Sequence, residues 1–153
     1  MEQNNKIKVI FKLDQNDWHG IGSETVWATV IEKNLAQIDN SLFYKKGVNY
    51  LDFVNINHLD ESTAEFVSVA KHNGHSTYRL ITDLDLDDKN FLEHWTSIQN
   101  LGCSFESNEI GKRLLSIDVP PDLDINKVFE LLKKGEEEKI WFFEEGSCVR
   151  EVK

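Results

Sequence analysis

Short stretches of alternating apolar and polar residues dominate the first half of the chain. Residues 6–13 place Ile, Val, Phe and Leu at every second position, with lysines between most of them, which is the period of a half-buried β-strand. Four further stretches are short, rich in β-branched and aromatic residues, and separated by Asn, Gly and Asp. They span residues 25–31, 35–38, 50–56 and 65–72. Five short strands without a helix predict a small, strongly bent antiparallel sheet or an SH3-like barrel.

The pattern changes in the second half, where residues 75 to about 146 predict the order strand, helix, strand, strand, helix, strand. The predicted strands span residues 76–82, 103–107, 114–119 and 140–143. Between them, apolar residues recur at the spacing of a helix face, after aspartates that can cap a helix N-terminus. These positions are Phe91, Leu92, Trp95, Ile98 and Leu101, ended by Gly102, and Ile125, Val128, Phe129 and Leu132, ended by Gly135. The order is that of a ferredoxin-like βαββαβ unit.

The two patterns predict an α+β fold with two subdomains packed together as one globular unit. Residues 1–74 form the barrel-like (SH3-like) part, and residues 75–153 form the ferredoxin-like part. Asn73 and Gly74 both tolerate a positive φ, so we expect a hairpin that pairs residues 65–72 with residues 76–82. Both helices of a ferredoxin-like sheet pack on one face, so the other face is either covered by the barrel or exposed for binding.

The charge of the chain limits the classes of partner. With 27 acidic and 17 basic residues, the chain has a formal net charge of -10, which opposes association with nucleic acid or an anionic membrane. No apolar stretch resembles a signal peptide or approaches the ~20 residues that span a bilayer. Cys103 and Cys148 have no metal-type spacing and indicate no disulfide framework. We therefore expect a cytoplasmic protein without a cofactor.

Acidic residues concentrate in the second half, where two clusters are candidates for binding a protein with a basic surface, such as a toxin domain. They are Asp83, Asp85, Asp87, Asp88 and Glu93, and Glu136, Glu137, Glu138, Glu144 and Glu145. Acidic helix faces that only keep a protein soluble are the alternative. The first cluster alternates like a calcium loop, but Asp88 and His94 stand where such a loop needs glycine and glutamate. We therefore expect a helix-capping role for this cluster and no bound metal.

One short polar segment is a candidate ligand site. His75, Ser76, Thr77 and Arg79 follow the predicted turn, and Arg is suited to fork-like recognition of an anion. The exposed polar face of a hairpin explains the same residues equally well. Zinc binding by His72 and His75 is not expected, because the sequence places no Cys or carboxylate near them. Nucleophile elbows and complete phosphate-binding loops are missing from the sequence, so we assign no catalytic residue.

Trp18 is a further candidate for partner binding. It lies in a polar loop at residues 14–22, where an exposed indole would be a natural hot spot for a protein partner. We favour the alternative that the indole anchors this loop into the barrel, because large aromatic side chains contribute strongly to burial.

Several short motifs resemble one bacterial family. Among them are the runs Ser-Glu-Thr-Val-Trp-Ala at residues 23–28 and Gly-His-Ser-Thr-Tyr-Arg at residues 74–79. On these motifs the chain resembles the bacterial domain of unknown function family 4265, from about residue 8 to residue 146. Leu42 stands where we expect proline before Phe43 in that family, which affects the local turn rather than the fold. The resemblance implies a small bacterial cytoplasmic protein and brings no established activity, cofactor or catalytic residue.

Our leading hypothesis is a non-enzymatic immunity protein, which binds and neutralises a cognate bacterial toxin in the cytoplasm. The chain is small and acidic, its sequence contains no assembled catalytic constellation, and an acidic surface can occlude the basic cleft of a toxin. The alternative is a regulatory module that holds a small ligand near His75, on the ferredoxin-like sheet or between the subdomains. A third alternative is an enzyme whose site is assembled across the fold, because such a site leaves no local spacing to read.

Overall fold

Five strands of the first half close into a barrel. The computed structural model describes residues 5–108 and 113–150. The barrel strands are β1 (Lys6–Lys12), β2 (Ser23–Glu32), β3 (Leu35–Ile38), β4 (Phe53–His58) and β5 (Thr63–Lys71). Consecutive strands pair antiparallel, and the barrel closes where β1 runs parallel to β5. The predicted barrel-like first half is confirmed, and five closed strands are consistent with an SH3-like arrangement.

Alternation of side chains along the strands builds the core of this barrel. Ile7, Val9 and Phe11 are buried on β1, while the lysines between them face solvent. The rings of Phe11 and Phe66 lie 4.7 Å apart inside the barrel. Small side chains such as Ala28 are buried beside these large ones, which lets a narrow barrel close around a packed apolar interior.

The second half forms a four-stranded sheet with two helices, which makes the whole a mixed α+β fold. Its elements are β6 (Ser76–Thr82), α1 (Lys89–Gln99), β7 (Ser104–Asn108), β8 (Arg113–Val119), α2 (Ile125–Glu137) and β9 (Phe142–Ser147). The strand order is β7-β8-β6-β9, and neighbouring strands are antiparallel. Side chains from the sheet and from both helices share one apolar core. The predicted order of strands and helices is therefore confirmed.

The two helices begin as predicted, but they end differently: α1 already ends at Gln99, before Leu101 and Gly102. Asp88 and Asp124 cap α1 and α2, each accepting hydrogen bonds from two backbone N–H groups of the first turn. The prediction that Gly135 ends the second helix is wrong, because α2 continues to Glu137. A Cβ at Gly135 would lie 2.3 Å from the ring of Trp141, so close packing requires the glycine. Within the described residues, no helix is long and apolar enough to cross a membrane.

The turn at Asn73 and Gly74 joins two sheets instead of two strands of one hairpin. β5 pairs with β1 and β4, whereas β6 pairs with β8 and β9, so the predicted hairpin is wrong. Gly74 does adopt a positive φ of 88°. A Cβ at this position would also lie 2.8 Å from the Cβ of Pro121. The Asn-Gly pair indicates where the chain changes direction, but it does not specify which strand the following segment joins.

One face of the second sheet packs on the helices, and the connection between β3 and β4 covers much of the other face. Ser116 Oγ on β8 donates a hydrogen bond to the carbonyl oxygen of Leu42 at 2.7 Å. Thr77 Oγ1 on β6 donates to Asn49 Oδ1 at 2.5 Å. We call this layer of contacts between the barrel connection and the second sheet the seam. At the seam, the barrel half therefore covers the second sheet, which is one of the two arrangements that we expected.

Candidate functional site

The predicted ligand segment lies inside the seam. His75, Ser76, Thr77 and Arg79 have relative exposures of 9%, 0%, 1% and 1%. Each of the four side chains has a hydrogen-bond partner within the protein. The interpretation of this segment as an exposed hairpin face is therefore wrong. Binding of an anion there stays a prediction, for which the buried segment offers little accessible surface.

Internal partners hold the guanidinium of Arg79. Its Nη2 donates to the carbonyl oxygen of Lys45 at 2.5 Å, and its Nη1 lies 3.5 Å from Glu144 Oε1. Burial lowers the pKa of Arg79, while the charges of Glu144, Glu24 and Asp17 act in the opposite direction. The same three carboxylates offset the positive charge, so the site attracts a further anion only weakly.

The carboxylate of Glu24 organises the loop that supplies the Arg79 acceptor. It is buried at the start of β2, and it accepts hydrogen bonds from three consecutive backbone N–H groups. The distances are 2.6 Å to Phe43 N, 3.0 Å to Tyr44 N and 3.0 Å to Lys45 N. Glu24 therefore fixes the loop against the second sheet, which is a structural role.

Two histidines near the turn each contact an aspartate. His75 Nδ1 lies 2.8 Å from Asp118 Oδ1, and His72 Nδ1 lies 2.7 Å from Asp52 Oδ2, so the expectation that no carboxylate is nearby is wrong. Burial raises the pKa of Asp118, and the hydrogen bond with His75 opposes that effect. A His–Asp pair is the orienting part of a catalytic triad. Within residues 5–108 and 113–150, however, no hydroxyl or thiol hydrogen-bonds to the His75 ring.

The described part of the chain shows no metal cluster, and the thiol of Cys103 is not activated. No group of three His, Cys, Asp or Glu side chains within it could hold a metal ion. Cys103 and Cys148 are free, and burial raises the pKa of Cys103 to about 12. A thiol with such a pKa is protonated at neutral pH and is a poor nucleophile. The remaining candidates for a functional site lie on the surface of the protein.

Part of the first acidic cluster serves the fold. Asp88 caps α1, and Asp85 forms an ion pair with Arg113 at 2.5 Å. Asp87 and Glu93 are exposed. The expected capping role is confirmed for Asp88, whereas partner binding by this cluster stays a prediction.

The second acidic cluster also divides between structural and exposed members. Glu138 pairs with His94 of α1, and Glu136 Oε2 accepts a hydrogen bond from the backbone N–H of Phe143 at 3.0 Å. Glu145 is exposed on β9. Glu136 thereby covers part of the free edge of β9, because it satisfies a backbone donor that points away from β6.

The fold brings members of both acidic clusters to one surface groove of about 400 Å³, which we call the acid-rimmed groove. Asp83 follows β6, and Glu136 and Glu137 end α2, so carboxylates from two different elements line the same groove. The groove is lined by Ile81, Thr82, Asp83, Leu84, Glu136, Glu137, Lys139, Ile140, Trp141 and Phe142. Apolar side chains therefore share the lining of this groove with three carboxylates and one lysine.

A second hollow of about 330 Å³ adjoins the groove on the sheet face opposite the helices. It is lined by Trp18, Arg79, Ile81, Leu114, Phe142, Phe143 and Glu144. Ile81 pairs with Leu114 on one side and with Phe142 on the other, so these three form a row across the sheet. Ile81 and Phe142 line both concavities, so the acid-rimmed groove and the hollow are neighbours.

Two aromatic side chains are exposed at this surface. Phe142 is 70% exposed and Trp18 is 53% exposed. The favoured expectation that Trp18 anchors its loop into the barrel is therefore wrong: the indole lies beside the second sheet, with its ring 6.1 Å from that of Tyr44. Binding of a partner by Trp18 stays a prediction.

Phe142 was not among the predicted site residues, although the run of aromatic residues around it indicates an exposed side chain. Trp141, Phe142 and Phe143 are consecutive, and successive side chains of a strand point to opposite faces. In such a run, Phe142 must point away from the face that buries its two neighbours. Three successive aromatics on a predicted last strand thus indicate an aromatic side chain on the face that carries no helix.

The geometry defines a small α+β protein with a closed barrel, a helix-covered sheet and a groove lined by apolar and acidic residues. A family model, "Domain of unknown function (DUF4265)", matches residues 24–143, and the chain belongs to this family, as predicted. A solved structure of a hypothetical protein from Neisseria gonorrhoeae is similar at 19% identity and a TM-score of 0.74, covering 99% of each chain. At that identity the likeness shows the fold alone. The chain matches none of the curated proteins.

Proposed function

We propose that this protein is a non-enzymatic interaction module, which binds a protein with a basic surface. The observation that supports this proposal most strongly is the exposure of Phe142, a large aromatic side chain that is 70% exposed and lines the acid-rimmed groove. Exposed aromatics surrounded by polar groups are typical anchors of protein interfaces. The buried state of His75 and the offset charge of Arg79 favour this function over a ligand-binding module.

The biological role that we propose is immunity: the partner is a bacterial toxin, which the protein neutralises in the cytoplasm of the producing cell. Many toxins act on anionic substrates through basic clefts, and an acidic protein can occlude such a cleft. The net charge of -10 would steer the encounter and accelerate association at low ionic strength. Neutralisation by occlusion requires no catalytic residue in the immunity protein.

We further propose that the second half is a ferredoxin-like unit that presents this surface. Its strand order β7-β8-β6-β9, with β6 central and the helices following β6 and β8, supports the assignment. In this arrangement β9 is an edge strand, and its first residue, Phe142, is displayed beside the end of α2. The fold thereby places the aromatic side chain and the carboxylates on one side of the sheet edge.

Capture of the tagged protein from its native host, at low salt and at 0.5 M salt, tests the function. We expect one stoichiometric basic protein whose retention falls at high salt, and whose toxicity to growing cells is relieved by co-expression of this chain. Recovery of no such protein with correctly folded bait, or of a basic protein that is not toxic, would contradict the immunity role.

A further inference from the structure

We infer that the acid-rimmed groove is the docking site for a basic segment of the partner that inserts one large apolar side chain beside Phe142. The inference rests on the proposed function and assigns it a place and a partner chemistry. Neither the family nor the similar structure supplies this assignment, which comes from the lining of the groove and its charge.

The first argument is the apolar part of the lining. Ile81, Leu84, Ile140, Trp141 and Phe142 line the groove. Its volume of about 400 Å³ lies in the range of pockets that hold ligands. An apolar side chain placed there would remove the exposed ring of Phe142 from water, which stabilises a complex in proportion to the apolar area buried.

The second argument is the sign of the charge around that apolar surface. Asp83, Glu136 and Glu137 line the groove together with Lys139, so carboxylates outnumber ammonium groups three to one. Glu144 lies in the adjoining hollow, although Arg79 offsets it. An occupant that carries lysines or arginines beside its apolar anchor satisfies both features, whereas an acidic occupant is repelled.

The same charge argues against a second copy of this chain as the occupant. Each copy has a net charge of -10, so two grooves brought together would juxtapose like charges. Addition of a partner strand to β9 is also disfavoured, because the N–H of Phe143 already donates to Glu136. Insertion of a side chain into the groove is therefore the mode that fits.

The test uses a defined probe, the acetylated and amidated peptide Lys-Arg-Lys-Leu-Phe-Lys-Arg-Lys, titrated into ¹⁵N-labelled full-length protein. We expect amide shift changes centred on Ile81, Leu84 and Phe142. A control peptide with Ser-Ser in place of Leu-Phe should bind at least ~10-fold more weakly, because it lacks the anchor. Shift changes spread over all acidic surfaces, or equal affinity of the two peptides, would overturn the inference.

Matched variants distinguish binding at the groove from general attraction to an acidic surface. Glu137→Lys reverses a charge at the groove, and Glu130→Lys makes the same change on an exposed part of α2 outside it. We expect Glu137→Lys to weaken peptide binding several-fold more than Glu130→Lys, and Phe142→Ala to weaken it at least ~10-fold. Equal effects of the two charge reversals, or dimerisation through this face, would overturn the inference.

The docking site and the proposed function can fail independently. If a captured toxin binds the Phe142→Ala and Glu137→Lys proteins as tightly as the wild type, the docking site is wrong while the immunity function stands. If the peptide binds the groove as expected but no toxin is recovered, the docking site stands and the immunity function is wrong.

Discussion

The barrel interior and the seam are held together by different kinds of contact. The barrel core is built from apolar side chains such as Val9, Phe11 and Val54, which are fully buried. The seam buries hydroxyl and guanidinium groups, including those of Ser116 and Arg79. Apolar packing tolerates small displacements, whereas buried hydrogen bonds require one geometry. The comparison shows that polar residues predicted as a candidate ligand site also hold the barrel half on the sheet.

The face of the second sheet that carries the seam changes character toward the acid-rimmed groove. Moving along β6 on this face, Thr77 and Arg79 are polar, and the next residue on the same face is Ile81. Phe142 is the neighbour of Ile81 on β9 and is largely exposed. The polar part of the face is occupied by the seam, so the apolar end is the part left available to a partner.

The largest effect that we predict for the seam follows removal of the Glu24 carboxylate. Glu24→Ala leaves three backbone N–H groups of the loop without their charged acceptor, and such hydrogen bonds contribute roughly 1.5–3 kcal/mol each. We expect the free energy of unfolding to fall by about 3–5 kcal/mol, measured by urea denaturation. Glu32→Ala, at the exposed end of the same strand, should change it by less than about 0.5 kcal/mol. Similar losses in the two variants would contradict the structural role of Glu24.

A smaller effect is predicted for a single hydrogen bond of the seam. Ser116→Ala removes the hydroxyl that donates to the buried carbonyl oxygen of Leu42. An unpaired buried acceptor costs roughly 1–3 kcal/mol, so we expect a loss near 1.5 kcal/mol in thermal or urea unfolding. Ser107→Ala, at an exposed position of β7, is the matched control and should be close to neutral. A neutral Ser116→Ala variant would show that the seam depends on apolar packing after all.

A small pH-dependent contribution to stability is predicted away from the seam, between the two helices. Burial lowers the pKa of His94, but hydrogen bonds to the carbonyl oxygen of Asn90 and to Glu138 outweigh it and raise the pKa above 6.5. The folded state therefore binds this proton more tightly than the unfolded state. The added stability is fully present below pH 6.5 and is lost as the pH rises through the raised value.

His94→Gln tests this assignment. Unfolding measured between pH 5.5 and pH 8.5 should show a weaker fall in stability with rising pH in the variant than in the wild type, since the raised pKa belongs to the replaced imidazole. Identical pH profiles for the two proteins would assign the pH dependence to other groups.

The smallest effect on folding is predicted for Phe142→Ala. The side chain is 70% exposed, so its truncation should change the free energy of unfolding by no more than about 0.5 kcal/mol. Phe91→Ala removes a ring from a residue that is only 1% exposed, and it should lower the free energy of unfolding by about 3–5 kcal/mol. A large loss from Phe142→Ala would mean that this ring stabilises the fold and would weaken its assignment to binding.

The sequence predicted the elements better than their assembly, because periodicity and capping are local properties. The alternation in residues 6–13 and the cap at Asp88 are signals that a few neighbouring residues carry. The pairing of β6 depends on strands that lie more than thirty residues away, and the turn at Gly74 contains no information about them. Gly135 was misread because a glycine required by a close ring and a glycine that ends a helix look alike in sequence.

The candidate site was predicted only in part for the same reason. Both acidic clusters were recognised as candidates, but no local pattern indicates that Asp83 and Glu137, more than fifty residues apart, line one groove. The burial of Arg79 likewise depends on the loop that Glu24 holds in place. Residue type suggests what a side chain can bind, whereas the fold decides whether it is accessible.

Binding through Phe142 is tested by calorimetric measurement of the affinity of the basic partner for two variants, each of which lacks one exposed apolar side chain. Phe142→Ala alters the acid-rimmed groove, and Val67→Ala removes another exposed apolar side chain, on β5 of the barrel. If the partner docks at the acid-rimmed groove, Phe142→Ala should bind it at least ~10-fold more weakly and Val67→Ala should bind it unchanged. Equal affinities of both variants and the wild type would contradict docking at this groove.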